Sequence, residues 1–199
     1  MMHTYSQTGA ELTPYILQAE DHAAIGRLVA ACAQLEVILT CWISHLSGTS
    51  VAAVDILLGT TAVSAKEKAA LALAEIHGPE SLALHNQAFS NDDWAEVFRC
   101  RNAVCHGIPL GKSEDGQIAF KTIKQAAKRK GKVTFLVYGY ATKVIAKLAL
   151  IAENGVSTIE PLLGLQASLQ KYRGTTLVPH PKGRPQGQTK RGDEPPPRS

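Results

Sequence analysis

Apolar residues recur with the period of an α-helix in two segments of this chain. In residues 21–47 the recurring apolar positions are Ile25, Leu28, Val29, Cys32, Leu35, Leu39, Ile43 and Leu46. In residues 94–108 they are Trp94, Val97, Phe98, Val104, Cys105 and Ile108. Because positions three and four apart share one face of a helix, this spacing predicts two amphipathic helices that each bury one side.

Each of these two predicted helices carries a charged residue on its apolar side. Arg101 occupies the one position missing from the second apolar stripe, and Glu36 lies beside Leu35 in the first. Burying an unpaired charge is costly, so we predict that Glu36 and Arg101 face each other, directly or through water. Such a pair has two interpretations: it fixes the register of two helices, or it marks a functional cleft.

Helix caps and helix breakers predict the elements between and beyond these two helices. A capping box at Ser64–Glu67 predicts the start of a helix that ends at His77. Pro14 predicts a short helical turn near the N-terminus, and Pro161 predicts a break near Ile159. The remaining predicted helices cover residues 49–58, 80–88 and 140–172.

Two short segments have the composition of β-strands. Residues 117–124 and 132–138 alternate in polarity and contain β-branched and aromatic side chains, which predicts a β-hairpin within an insertion at residues 112–138. Six prolines and few apolar residues predict a disordered, basic Pro/Gly-rich tail over residues 173–199. The predicted fold class is therefore mainly α, an antiparallel helical bundle that forms one domain over residues 1–172.

The composition is that of an ordinary globular protein. Of the 199 residues, 45% are hydrophobic and 19% are charged, and no run of 18 uncharged apolar residues suggests a membrane span. The N-terminus lacks a basic region followed by an apolar run, so we expect no secretory signal. The four cysteines fall within helical patterns of a chain that we expect to stay in the cytoplasm, so we expect free thiols. Cys100, Cys105 and His106 do not have zinc-ligand spacing, so we expect no metal site.

Positive charge is concentrated in the predicted insertion. Residues 112–132 contain seven Lys or Arg against two Asp or Glu, whereas residues 1–172 as a whole contain 15 of each. A basic patch of this kind attracts the phosphate backbone of a nucleic acid. Its predicted contact residues are Lys128, Arg129, Lys130 and Lys132. The alternative is a solvated loop that binds nothing.

The segment from Arg101 to His106 resembles the signature of a known superfamily. Arg101-Asn102-xxx-His106 is similar to the Arg-X(4–6)-His motif of the HEPN superfamily, in its Arg-Asn-xxx-His form. The upstream segment AACAQLEVIL is similar to the first long HEPN helix with its inward acidic residue, here Glu36. The resemblance covers about residues 21–172. It implies a HEPN-like antiparallel helical bundle and a homodimer with the motif helices at the interface.

The resemblance also implies metal-independent cleavage of RNA without a cofactor. In such a reaction the 2′-hydroxyl attacks the adjacent phosphorus, and His106 acts as general base or general acid. Arg101 stabilises the charge that develops on the phosphate, Asn102 orients His106 or binds the phosphate, and Glu36 holds Arg101. The need for a 2′-hydroxyl predicts that RNA, and not DNA, is the substrate.

The spacing of Arg101 and His106 constrains this site. Five residues correspond to about 140° around an ideal helix, so both side chains cannot point squarely into one cleft. Either the helix distorts near Cys105, or the site is composite across two subunits. Some HEPN toxins carry a tyrosine two residues after the histidine, which a partner nucleotidyltransferase modifies. Here that position is Ile108, so we do not expect this form of control.

Three functions are compatible with these observations. The first is an endoribonuclease of a defence or toxin type, controlled by an antitoxin or another regulatory partner. The second is a non-catalytic HEPN-like module that binds nucleotide, RNA or a protein. The third is a helical scaffold protein with a basic tail. The complete Arg-Asn-xxx-His set favours the nuclease. Four further histidines are expected at the surface or at helix ends, namely His22, His45, His77 and His85.

Overall fold

The structure is a computed structural model that describes residues 12–90, 92–124 and 134–173. These residues form seven helices, α1 Ala19–Ser47, α2 Val51–Leu58, α3 Val63–His77, α4 Pro79–Phe89, α5 Asp92–His106, α6 Thr142–Leu162 and α7 Gln166–Arg173. They also form three strands, β1 Ile108–Lys112, β2 Ile118–Lys124 and β3 Thr134–Tyr140. The prediction of a mainly helical protein with a small β element is confirmed.

Helix α1 is the central helix of the core. It packs against α6 and α3, and more narrowly against α5. Its fully buried side chains include Leu28, Cys32, Ile38, Cys41 and Trp42. An 18-residue window of α1 has a mean hydropathy of 1.6, so length and composition alone would allow it to cross a membrane. Half of that window is buried inside the fold, which is the environment of a core helix and is consistent with a soluble protein.

A buried carboxylate ties the start of α1 to the start of α6. Asp21 is fully buried and accepts hydrogen bonds from the hydroxyls of Tyr15 and Thr142 and from the backbone N–H of Gln18. Burial raises the pKa of Asp21, but these three hydrogen bonds outweigh it and lower the pKa below its usual value. The segment before α1 is therefore held by Asp21 and contains no helix over residues 12–18, so the helical turn predicted from Pro14 is wrong.

The sheet is antiparallel, with β2 between β1 and β3. The predicted antiparallel strand pair is present as β2 and β3, and β1, which was not predicted, adds a third strand on the other side of β2. The backbone of Lys112 at the end of β1 also exchanges two hydrogen bonds with Thr13. Gly111 has a φ of 152°, and an added Cβ there would lie 2.5 Å from the carbonyl oxygen of Thr13. Glycine is therefore required where this segment crosses β1.

Two predicted helix boundaries differ from those in the structure. Helix α3 begins at Val63 after Ala62, without a side-chain cap, so the capping box predicted at Ser64–Glu67 is not formed. Helix α6 continues through Pro161 to Leu162, and the break before α7 comes three residues after the predicted position near Ile159. The predicted tail over residues 174–199 lies outside the described residues.

Candidate functional site

Helix α5 carries the Arg-Asn-xxx-His motif, and its buried face differs from the predicted one. The buried residues of α5 include Val97, Cys100 and Ala103, whereas Cys105 is exposed. These buried positions form a narrow strip along α5, and α5 packs against α1 and α6. The predicted core positions Cys105 and Ile108 are therefore wrong.

The helix ends at His106 and not at Ile108. The backbone N–H of Gly107 still donates to the carbonyl of Ala103 over 2.8 Å, and the chain then enters β1. Pro109 follows two residues later, and proline disfavours helix for the residue before it. Ile108 belongs to an edge strand and is 63% exposed.

Glu36 and Arg101 are in direct contact, as predicted. Arg101 Nη2 donates to Glu36 Oε1 over 3.0 Å, which joins α5 to α1. Arg101 Nη1 donates to Asn102 Oδ1 over 2.9 Å. About a quarter of the Arg101 side chain and a fifth of the Glu36 side chain remain exposed. The guanidinium is thus fixed from two sides but still reaches solvent.

A lysine that was not predicted from the sequence adds a second cation to this ion pair. Lys66 on α3 places its Nζ 3.8 Å from Glu36 Oε2, and only 4% of the Lys66 side chain is exposed. Glu36 therefore lies between two cations, one buried and one at the surface. In the sequence Lys66 is the third residue of an apparent capping box, where a solvated side chain is the usual outcome. In the structure Lys66 shares the buried face of α3 with Ala70 and Ala74, but nothing in the local sequence distinguishes it from a solvated lysine.

The motif residues line one open groove with a volume of about 1310 Å³. Four residues of α5 spaced by four, Trp94, Phe98, Asn102 and His106, form a ridge along it. Glu36 and Arg101 also line the groove. Further lining side chains come from β2 and β3, from the segment between α2 and α3, and from the first turn of α3, namely Thr122, Leu136, Tyr138, Thr60, Thr61 and Ser64.

Arg101 and His106 line this same groove even though α5 is helical without interruption through His106. The distortion near Cys105 that the sequence analysis allowed is therefore absent. His106 is exposed at the C-terminal end of α5, and Arg101 is partly buried beneath it along the helix. Arg101 Nε is buried and has no hydrogen-bond partner within residues 12–90, 92–124 and 134–173. The composite site across two subunits stays a prediction.

Two of the cysteines near this site, Cys32 and Cys100, are buried in the core. All four cysteines are free, as predicted. Burial raises the pKa of Cys32 to about 12 although the positive charge of Arg101 opposes it, and burial also raises the pKa of Cys100. A thiol of this kind is neither a nucleophile nor a metal ligand at neutral pH. No group of three or more His, Cys, Asp or Glu residues suited to a metal ion occurs in the described part of the chain.

One predicted surface histidine lies in the core. His85 on α4 is 2% exposed and packs against Phe89 with a centroid distance of 5.2 Å. Burial lowers the pKa of His85, and the charge of Glu67 only partly opposes this. His85 is thus a neutral core residue, which fits its position one turn from the buried Ala88 and corrects the prediction of a surface location.

The predicted phosphate contacts Lys128, Arg129, Lys130 and Lys132 lie outside the described residues.

Comparison with known proteins adds no family: no family model, no curated protein and no solved structure matches this chain. The functional argument therefore depends on the geometry of the groove and on the chemistry of its side chains.

Proposed function

We propose that this protein is a metal-independent endoribonuclease with a HEPN-like fold and that the groove along α5 is its active site. The observation that carries the proposal is the arrangement of Arg101. Its guanidinium is fixed by Glu36 and Asn102, reaches solvent, and lines the same groove as the exposed imidazole of His106. A fixed cation beside an ionisable imidazole is the minimum that cleavage of a phosphodiester by its own 2′-hydroxyl requires.

The proposed roles follow from the contacts. Arg101 binds the non-bridging phosphate oxygens, and its remaining N–H groups supply charge-assisted hydrogen bonds. His106 removes the 2′-hydroxyl proton while water protonates the 5′ leaving oxygen, or the two exchange these roles; the new P–O2′ bond replaces the P–O5′ bond and gives a 2′,3′-cyclic phosphate and a 5′-hydroxyl. Asn102 keeps the guanidinium in position through its side-chain oxygen, and its NH₂ group is then directed to the phosphate or to His106. Glu36 is a positioning residue because it acts through Arg101.

The biological setting that we propose is a cytoplasmic defence or toxin-type enzyme. A nuclease that needs no metal and no cofactor is active whenever it meets RNA, so a regulatory partner such as an antitoxin would be required to restrain it. A homodimer with the two motif helices at the interface is part of the same proposal. Lys128, Arg129, Lys130 and Lys132 would then add non-specific affinity for the RNA backbone.

The test is incubation of the purified protein with total RNA in EDTA. Wild type should produce fragments with cyclic-phosphate ends, and His106→Ala should lower the cleavage rate by about 100-fold or more, the usual contribution of a general base or acid. His22→Ala is the matched control, because His22 is also an exposed helical histidine but lies on α1 outside the groove. Equal cleavage by all three proteins would show that His106 takes no part.

The second candidate function is a non-catalytic module that binds nucleotide, RNA or a protein. The specific observation in its favour is that Glu36 is shared between Arg101 and the buried Lys66, which is what a structural ion-pair network requires. In that case wild type and His106→Ala, both folded, would leave the RNA intact.

A further inference from the structure

We propose that the groove along α5 binds single-stranded RNA by stacking an unpaired base on the aromatic side chains of Phe98 and Tyr138. This inference deepens the proposed function, on which it rests for the nature of the ligand. In the proposed function Arg101 binds an RNA phosphate. The larger part of the groove carries no motif residue and is available to another part of the RNA.

The sheet delivers one wall of this part of the groove. Three cross-strand pairs on one face of β2 and β3 are Ile118 with Tyr140, Phe120 with Tyr138, and Thr122 with Leu136. The first pair is buried in the core, whereas Thr122, Leu136 and Tyr138 are partly exposed and line the groove. The inner face of the sheet therefore passes out of the core and continues as an apolar surface with an aromatic ring.

Helix α5 delivers the other aromatic ring next to the phosphate site. Phe98 precedes Arg101 by three residues and Asn102 by four, so the three side chains share one face of the helix. The rise from Phe98 to Arg101 is about 4.5 Å along the helix axis. A base attached to a phosphate that Arg101 binds would thus be within reach of Phe98, which is partly exposed in the groove.

The charges along the groove favour a neutral, flat group and not a second phosphate. Glu36 pairs with Arg101, and the guanidinium of Arg99 contacts the carboxylate of Glu96. The charges of Arg101 and Arg99 are therefore compensated, Glu67 adds a negative charge to the lining that disfavours a second phosphate, and the apolar wall offers apolar contact and ring faces. Stacking on an aromatic side chain is the usual way in which proteins hold an unpaired base, and it contributes about 1–3 kcal/mol per base.

The size and shape of the groove favour a short single strand. Its volume of about 1310 Å³ exceeds the range of roughly 300–1,000 Å³ typical of sites for one small molecule. A double-stranded RNA keeps its bases stacked inside the helix and presents mainly phosphates and 2′-hydroxyls. Only an unpaired segment can place a phosphate on Arg101 and a base between Phe98 and Tyr138 at the same time.

The experiment measures binding separately from cleavage. A fluorescent 2′-O-methyl RNA decamer, in which the nucleophile is blocked, is titrated with wild type, Phe98→Leu and Tyr138→Leu in EDTA, as a single strand and as a duplex. Leucine keeps an apolar side chain, so the variants lose the ring with little loss of packing. We expect wild type to bind the single strand at least tenfold more tightly than the duplex, and each variant to weaken single-strand binding by about 5- to 100-fold.

Two controls make the result specific to stacking. Tyr138→Phe keeps the ring and should retain wild-type affinity. Ile76→Ala removes an apolar side chain that is 80% exposed on α3 and lies outside the groove. This variant should keep the wild-type affinity for the single strand. Thermal melts of all variants establish that each protein is folded.

The outcomes separate this inference from the proposed function. If wild type does not cleave RNA but binds the single strand in a manner that depends on both rings, the stacking site stands and the nuclease does not. If wild type cleaves RNA while both leucine variants keep full affinity, the nuclease stands and the stacking site is overturned. Equal affinity for single strand and duplex, or no binding of the decamer, also overturns it.

Discussion

Three charged side chains meet where α1, α3 and α5 approach one another, and they differ sharply in exposure. Lys66 is 4% exposed, whereas Glu36 and Arg101 keep 21% and 24% of their side-chain surface. Removing one partner of an ion pair is most damaging when the other stays buried without compensation. The three residues should therefore contribute unequally to stability.

Glu36→Gln should lower the free energy of unfolding by about 3 kcal/mol, because it leaves the ammonium of Lys66 buried beside an uncharged amide. Arg101→Gln should lower it by only about 1 kcal/mol or less, since a solvent-accessible pair is worth little. Urea denaturation at neutral pH measures both values. Lys66→Met added to Glu36→Gln should restore most of the loss, and Lys68→Met, an exposed lysine on the same helix, should not. Equal losses of stability in Glu36→Gln and Arg101→Gln, with no recovery on adding Lys66→Met, would contradict this order of contributions.

Two helical glycines provide a matched test of packing. Gly155 on α6 is buried, and a Cβ added there would lie 2.1 Å from the Trp94 ring, which lines the groove. Gly26 on α1 is exposed, and an added Cβ would have no neighbour within 4 Å. The α6 helix therefore uses glycine to let Trp94 approach its backbone, whereas the α1 glycine has no such reason.

Gly155→Ala should lower the free energy of unfolding by about 1–3 kcal/mol through overpacking against Trp94. Gly26→Ala should raise it by about 0.5–1 kcal/mol, because alanine favours helix and restricts the unfolded chain. Urea denaturation of the two variants gives the comparison directly, and Trp94 fluorescence should change only in Gly155→Ala. Two effects of the same sign would contradict the packing seen around Trp94.

At the level of elements, α4 has fewer buried side chains than α1, α3 or α6. Its buried side chains are His85 and Ala88 only. The pKa of His85 is lowered by burial, so the unfolded chain binds a proton more readily than the folded one. The contribution of His85 to the free energy of unfolding is fully present above the pKa of about 6.5 that histidine has in the unfolded chain. It is lost as the pH falls below that value. Asp21 acts in a separate window below about pH 4, because its pKa is also lowered.

Acidification from pH 7.5 to pH 5.5 should therefore destabilise the wild type and increase hydrogen exchange in α4 before the other helices. Protonation of His85 places a charge against Phe89 in the core, and Ala88 is the only other fully buried side chain of α4. His85→Leu should remove most of this pH dependence, while His22→Ala should keep it, since His22 is exposed. Hydrogen exchange followed by mass spectrometry reports α4 directly. An unchanged pH profile in His85→Leu would assign the effect to another group.

The elements that the sequence predicted well are those with a long apolar period or a strong cap. The first long helix was predicted to within two residues, because its apolar positions recur over about six turns and Gly48 ends it in the left-handed conformation. The short helix after it begins at Val51, and the hydroxyl of its N-cap Ser50 accepts from the N–H of Ala53. The strand β1 was missed because its first three residues are exposed and it contains Pro109 and Gly111, so no alternation was visible.

The candidate site was predictable only where an anomaly interrupted a pattern. Arg101 and Glu36 were found because each replaced a core residue on an apolar stripe, and their contact is confirmed. Lys66 and His85 were missed because their burial depends on contacts between helices distant in sequence, which no local period encodes. The groove itself is lined by residues of helices, strands and a connecting segment that are distant in sequence, which is a property of tertiary packing. Residue types therefore predicted Glu36 and Arg101, but neither the buried Lys66 nor the shape of the groove.

At the level of the whole molecule, the site is either complete within one protomer or shared between two. Arg101 and His106 line the same groove, but they are separated by about 140° around α5. The homodimer proposed above would bring the motif helix of a second protomer to this groove. Light scattering should therefore find a dimer in solution, and mixed variants can identify which protomer supplies each group.

Arg101→Ala and His106→Ala should each be inactive alone, and an equal mixture that is unfolded and refolded together should regain activity. In a mixed dimer with a shared site, one of the two sites combines an intact Arg101 with an intact His106. Half of the dimers are mixed, so about a quarter of wild-type activity is expected. A mixture of His106→Ala with the Arg101→Ala/His106→Ala double variant controls for recovery by refolding alone and should stay inactive. If light scattering shows dimers in the first mixture but no activity returns, each protomer uses its own Arg101 and His106 and the shared site is wrong.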